Sequence, residues 1–329
     1  MARPHPHWTP PQRDGVSASR VAVGDGRWAT LAEFLAARFP GVPDWPARLA
    51  RGDVLSADGQ PLAPDSPSRA GAVIWYWRKP PPEPRVPFEI EVLHQDDHLV
   101  VVDKPHFLAV TPGGRHLQET VLVRLNRLLG IASLTPMHRL DRETAGVMVF
   151  IVQPPTRDAY QALLRERQVH KVYEAVAPWR ADLMLPQTCR HRLEQRPGAG
   201  FMQMQVVPGE PNAETRIELI GRLGAAPAGP SAHAGAHPGA PPTGTLAHYR
   251  LTPLTGRKHQ LRAQLNALGL PIVGDRIYPS LWPDPAPEAA PDYALPLQLL
   301  ARELAFTDPF TGKPRCFSSR RRLQLAGGP

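Results

Sequence analysis

Apolar positions along the chain recur with two periods, and the change from one to the other marks its elements. Leu31, Phe34, Leu35 and Phe39 fall on one face of a short helix. A second short helix over 45–52 follows, then a strand-turn-strand pattern over 54–62 and a strand over 73–77. Further on, strands over 88–92 and 98–102 flank Gln95, Asp96 and Asp97 as a hairpin. A helix over 119–129 has Val121, Leu122, Leu125, Leu128 and Leu129 for its buried face and Gly130 at its end. The unbroken apolar run 147–152 reads as a buried strand, and a helix over 156–168 buries Tyr160, Leu163 and Leu164. Strands over 170–177, 214–220 and 246–253 complete a mixed, largely antiparallel α+β sheet.

The breaks in this pattern predict the domain organisation. Residues 1–19 are polar and Pro-rich and are expected to form a disordered tail, and the proline-dense stretch 79–87 a stiff linker. They bracket a small module over 20–78 and leave a larger domain over 88–325. Within the larger domain, 223–244 is an Ala, Pro and Gly tract with no packing potential, expected to be a disordered hairpin insertion. Its His233 and His237 read as solvated loop residues.

At 329 residues the chain is long enough for a well-buried core. With 38 Lys plus Arg against 30 Asp plus Glu, its net charge of +8 suits a polyanionic partner. The two cysteines, Cys189 and Cys316, lie far apart, which argues against a disulfide framework and for a reducing compartment. Cys189 and His191 would make half a metal site with no second ligand pair, so no metal is expected. No apolar stretch approaches membrane-spanning length, and a cytoplasmic protein with no membrane partner is expected.

The densest chemistry lies just before the buried strand. In the run 137–146, Asp141 sits among His138, Arg139 and Arg142 on a turn. Nearby positive charge keeps a carboxyl ionised, and a rigid strand fixes where the turn points it, which together make a positioned nucleophile. A surface turn with local Asp-Arg pairs fits the run alone equally well. Three other segments change that balance: 101–105 with Asp103, Lys104 and Pro105; 171–176 with Tyr173; and 254–262, which ends in Arg257, Lys258, His259, Gln260, Leu261 and Arg262.

In this order the segments resemble the RluA family of pseudouridine synthases over roughly 88–325. The resemblance implies an isomerase that breaks the uridine C1′–N1 bond, turns the uracil and rejoins it through C5, with no cofactor. It implies Asp141 as the catalytic carboxylate, Arg262 as its ion-pair partner and Tyr173 as the active-site tyrosine. Arg139 would occupy the space left by an extruded base. His138, Arg142, Lys104, Arg257, Lys258 and His259 would line an RNA groove. One position departs from the pattern: Leu300 stands where the family often has histidine. The small module resembles an S4-type RNA-binding module whose basic helix keeps only Arg48 and Arg51. The implied partner is structured RNA, ribosomal or transfer, bound by a monomer. The alternative is a non-catalytic RNA-binding assembly factor that uses the same surface. A kinase reading of 138–141 fails, because Leu140 breaks the His-Arg-Asp spacing and no glycine-rich nucleotide loop is present.

Overall fold

A computed structural model of the chain describes residues 9–26, 28–78, 83–114, 116–195, 203–225, 244–282 and 290–327. The disorder expected for 1–8 and 226–243, and the stiff linker over 79–82, lie outside the described residues. The chain divides into two compact units, 1–83 with 111–132, and 84–110 with 133–329. No helix among the described residues is long and apolar enough to cross a membrane.

In the first unit, β1 (Ser19–Ala22), β2 (Val54–Ser56) and β3 (Val73–Tyr76) form an antiparallel sheet with β3 central. Two helices cover it, α1 (Leu31–Arg38) and α2 (Trp45–Ala50). The Thr30 hydroxyl accepts the Glu33 N–H and starts α1, whose Phe34 and Leu35 pack with Trp45, Leu49, Val54 and Ile74. The helix read over 119–129 is α3 (Val121–Leu129), stopped by Gly130 at φ +69°. It belongs to this unit, not to the larger domain, because its partners are distant in sequence. Gly15 lies against Val123, and the Glu83 carboxylate accepts the N–H groups of Leu117, Gln118 and Glu119 at 2.8 to 3.0 Å. Part of the expected tail is therefore ordered, with Val16 buried. The two basic residues expected on the module's RNA-binding helix are paired within the unit. Arg48 is buried, donating to Asp44 and to the Trp77 carbonyl, and Arg51 pairs with Asp53.

The second unit is built on eleven strands among the described residues. In chain order they are β4 (Glu91–Gln95), β5 (Leu99–Lys104), β6 (Thr135–Pro136), β7 (Ala145–Ile151), β8 (His170–Pro178), β9 (Gln187–Gln195), β10 (Met204–Val207), β11 (Ala213–Ala225), β12 (Thr245–Pro253), β13 (Leu299–Thr307) and β14 (Pro314–Ser318). The sheet runs β10-β9-β11-β12-β8-β13-β7-β5-β4, with β14 beside β13 and β6 beside β7. All pairings are antiparallel except β13 with β7. Helix α4 (Arg157–Arg165) packs Tyr160 and Leu163 onto Leu99, Val101 and Val149. Helix α5 (Gln260–Ala267) packs Leu261 and Leu265 onto Ala175, Tyr249 and Leu251. This is the mixed, mostly antiparallel α+β fold that the periodicity predicts. Strands β1, β6, β9, β10, β13 and β14 and helix α5 are not evident from periodicity.

Where β13 meets β7, Gly146 has φ +114° and a Cβ there would sit 2.2 Å from the Ala301 carbonyl oxygen. Only glycine fits this approach. Leu300, at the position where histidine was noted as usual, is buried beside Ala145 and Val176, so a polar ring would displace core packing. Gly146→Ala is expected to destabilise the chain by at least about 2 kcal/mol in urea unfolding. Gly26→Ala, with nothing within 4 Å of the added carbon, is expected to leave the midpoint unchanged.

Candidate active site

The turn that carries Asp141 is anchored on both sides. The Thr144 N–H donates to the Asp141 carbonyl at 3.1 Å, and β7 begins at the next residue. From β5, the Lys104 ammonium donates to the carbonyls of Pro105, Leu108 and Arg142 at 2.8 to 2.9 Å. Three acceptors match the three N–H groups of a protonated lysine. Burial pushes Lys104 down to about 7, and its side chain has no exposed surface. Its expected place among the RNA-groove residues is corrected: its ammonium is spent on holding the turn.

Opposite the turn, α5 starts after His259, whose φ of +51° is uncommon for a residue with a side chain. One turn in, Arg262 is buried and places Nη1 2.9 Å from Asp141 Oδ2. Its Nε and Nη2 grip Asp275 at 2.8 and 2.6 Å. Asp141 keeps 31% of its side chain exposed, enough for a substrate to reach it. Its other oxygen, Oδ1, lies 3.8 Å from His259 Nε2.

Burial alone would raise the Asp141 carboxyl. In the acid range where the carboxyl titrates, the charges of His259 and Arg262, with the Arg262 hydrogen bond, outweigh it and hold the carboxyl below its ordinary value. Burial pushes His259 itself down to about 4, so near neutral pH its imidazole is uncharged and Arg262 is the cation that matters. Tyr173, on β8, is pushed up by burial and then by the Asp141 charge, so its phenol stays protonated. Asp141, Tyr173 and Arg262 are thus in one place.

The remaining predicted residues separate into two groups. Arg139, Arg257 and Lys258 are exposed, as a phosphate contact requires. His138 faces inward: its Nε2 is buried without a hydrogen-bond partner among the described residues, and burial pushes it down to about 4. An uncharged imidazole brings no positive charge to a phosphate, so neither His138 nor His259 offers a groove the charge that Arg139, Arg257 and Lys258 do. Arg142 is tied to Glu143 at 2.5 Å. Sequence reasoning missed Asp275, Tyr278 and Lys171. Tyr278 accepts the Met204 N–H and lies 3.5 Å from His259 Nδ1, while Lys171 donates to the Thr255 carbonyl at 3.2 Å. Only Lys171, two residues from Tyr173 on the same strand face, had a sequence signal. Cys189 and His191 do approach, at 3.2 Å, but among the described residues no third ligand joins them.

A model of the RNA pseudouridylate synthase family matches residues 98–267, a span that holds Asp141, Tyr173 and Arg262 and stops short of Asp275. A Synechocystis protein named an uncharacterized RNA pseudouridine synthase is 31% identical over 237 residues, 71% of this chain and 73% of the relative. The dual-specificity RNA pseudouridine synthase RluA of Haemophilus influenzae is 32% identical over 248 residues, 73% of this chain and 95% of that one. Among solved structures, human RNA pseudouridylate synthase domain containing 1 superposes with a TM-score of 0.54 at 20% identity, covering 72% of this chain and 86% of that one. That likeness is one of fold.

His106 joins His138 and His259 in being pushed by burial to about 4. Between about pH 6.5 and pH 4 the unfolded chain binds these protons and the folded chain does not, so stability is full above that window and is lost as pH falls through it. Each histidine should add about 1.4 kcal/mol per pH unit to the slope there. Urea unfolding across pH 4.5 to 7 is expected to show a shallower dependence in His138→Gln than in the wild type.

Proposed function

Because the chain belongs to the RNA pseudouridylate synthase family, we propose that Asp141 is its catalytic carboxylate. The observation that carries this is a reachable carboxylate held ionised by a buried guanidinium, beside a protonated tyrosine. The chain is an isomerase that acts on uridines in RNA. Whether Asp141 adds to C1′, adds to C6 or removes a sugar proton, it must supply an electron pair, and a protonated carboxyl has none to give. Arg262 serves that need at every stage. The ring of Tyr173 stacks on the detached uracil while it turns, and its phenol gives its proton to N1 and, as the phenolate, takes back the one that leaves C5.

The target uridine must leave its stack before its glycosidic bond can be reached. Exposed Arg139, two residues from Asp141, fills the vacated space, and Arg257 and Lys258 contact flanking phosphates. The substrate is a structured ribosomal or transfer RNA, and the enzyme acts as a cytoplasmic monomer with no cofactor, since the isomerisation involves no net redox change or group transfer. A purely RNA-binding factor would gain nothing from an ionised carboxylate facing phosphates.

Asp141→Asn should abolish tritium release from 5-labelled uridine in RNA while leaving RNA affinity within a few-fold, because it removes the nucleophile but keeps the volume. Near wild-type release would refute the assignment. Replacing Arg257 and Lys258 by alanine should lower the slope of log affinity against log salt by about 0.7 to 0.9 per lost phosphate contact. An unchanged slope would remove both residues from the RNA groove.

A further inference from the structure

We propose that Asp275 is a positioning residue for the reaction, gripping two edges of the Arg262 guanidinium so that a single N–H is presented to Asp141. This rests on Asp141 being the catalytic carboxylate. The fork of an arginine normally closes on one carboxylate and occupies both of its oxygens. Here the fork is spent on Asp275, through Nε to Oδ2 at 2.8 Å and Nη2 to Oδ1 at 2.6 Å. Among the described residues Asp141 receives only Nη1, at Oδ2, and its Oδ1 has His259 at 3.8 Å, beyond hydrogen-bond distance. One carboxylate oxygen therefore keeps its lone pairs uncommitted, as a nucleophile or base requires.

Asp275 is itself held rigidly. Its Oδ1 also accepts the N–H groups of Ile277 and Tyr278 at 2.8 and 3.0 Å, and its side chain is fully buried. The turn before it depends on Gly274, at φ +76°, where a Cβ would lie 2.5 Å from the Pro296 carbonyl oxygen. The backbone fixes Asp275, Asp275 fixes Arg262, and Arg262 fixes the angle at which Asp141 is met. Two carboxylates also share one guanidinium, so Asp141 feels less than a full positive charge and keeps more of its electron-donating power. A residue needed only to neutralise a buried arginine would be redundant, since Asp141 is already there.

The test is steady-state tritium release by Asp275→Asn, which keeps the volume and loses the charge and the fork. We expect kcat to fall by about tenfold to a hundredfold, as for a misplacement near 1 Å, with KM within about threefold. In an Arg262→Lys background the same substitution should cost less than about threefold more, because lysine offers no fork for Asp275 to grip. Wild-type kcat in folded Asp275→Asn, or a fully additive loss in the Arg262→Lys background, overturns the proposal. If Asp275→Asn does not fold by circular dichroism, Asp275→Glu, which keeps the charge but shifts the grip, replaces it with the same expected loss. Wild-type kcat in that variant overturns the proposal. Asp141→Asn is assayed alongside: turnover in that variant overturns the reading of Asp141 itself, whereas its inactivity beside an unimpaired Asp275 variant overturns only the role of Asp275.

Discussion

Arg262 lies between Asp141 and Asp275 with almost none of its surface in water, and a charge so placed is tolerable only where partners saturate it. That requirement organises the whole site. The guanidinium cannot move without giving up both carboxylates while itself buried, so it provides a fixed positive point beside the partly exposed Asp141. Against that point Asp141 stays ionised although much of its surroundings is protein. A carboxylate in the same place without the guanidinium would take up a proton and lose its chemistry.

The fold brings the two halves of this arrangement together from distant parts of the chain. The Asp141 turn leads into β7, whose parallel contact with β13 is possible because Gly146 lets the backbones close. Lys104 holds the same turn from β5 through three carbonyls. The opposite half is α5, whose polar residues are buried and satisfied within the core. Gln264, for example, bonds to Thr215 and to the carbonyls of Cys189 and Ala213. Rigid elements on both sides set the geometry, and the exposed basic residues Arg139, Arg257 and Lys258 lie at the surface.

Much of this fold was legible in the sequence, and what was not has physical causes. Helices α3 and α4, the β4–β5 hairpin and strands β8, β11 and β12 show an apolar periodicity, and β7 an unbroken apolar run. Strand β9 turns only Cys189 and Leu193 fully inward, so its alternation is faint. Helix α5 buries Gln260, Arg262 and Gln264, which a reading by polarity assigns to solvent. The resemblance placed Lys104, His138 and His259 along an RNA groove, whereas Lys104 is fully buried and His138 and His259 are partly covered by protein. Asp141, Tyr173 and Arg262 were found through their ordered resemblance to a family. Asp275, thirteen residues beyond Arg262, gives no local sign of its partner.

The most direct test of this account is the ionisation of Asp141 in the folded chain, followed by carbon NMR of selectively labelled aspartate carboxyls and assigned by the signal lost in Asp141→Asn. The account predicts that Asp141 remains a carboxylate at pH values below the ordinary aspartate pKa of 3.8, and that this protection is lost in Arg262→Ala. An Asp141 that takes up its proton above about pH 5, as an unpaired buried carboxyl would, would contradict it.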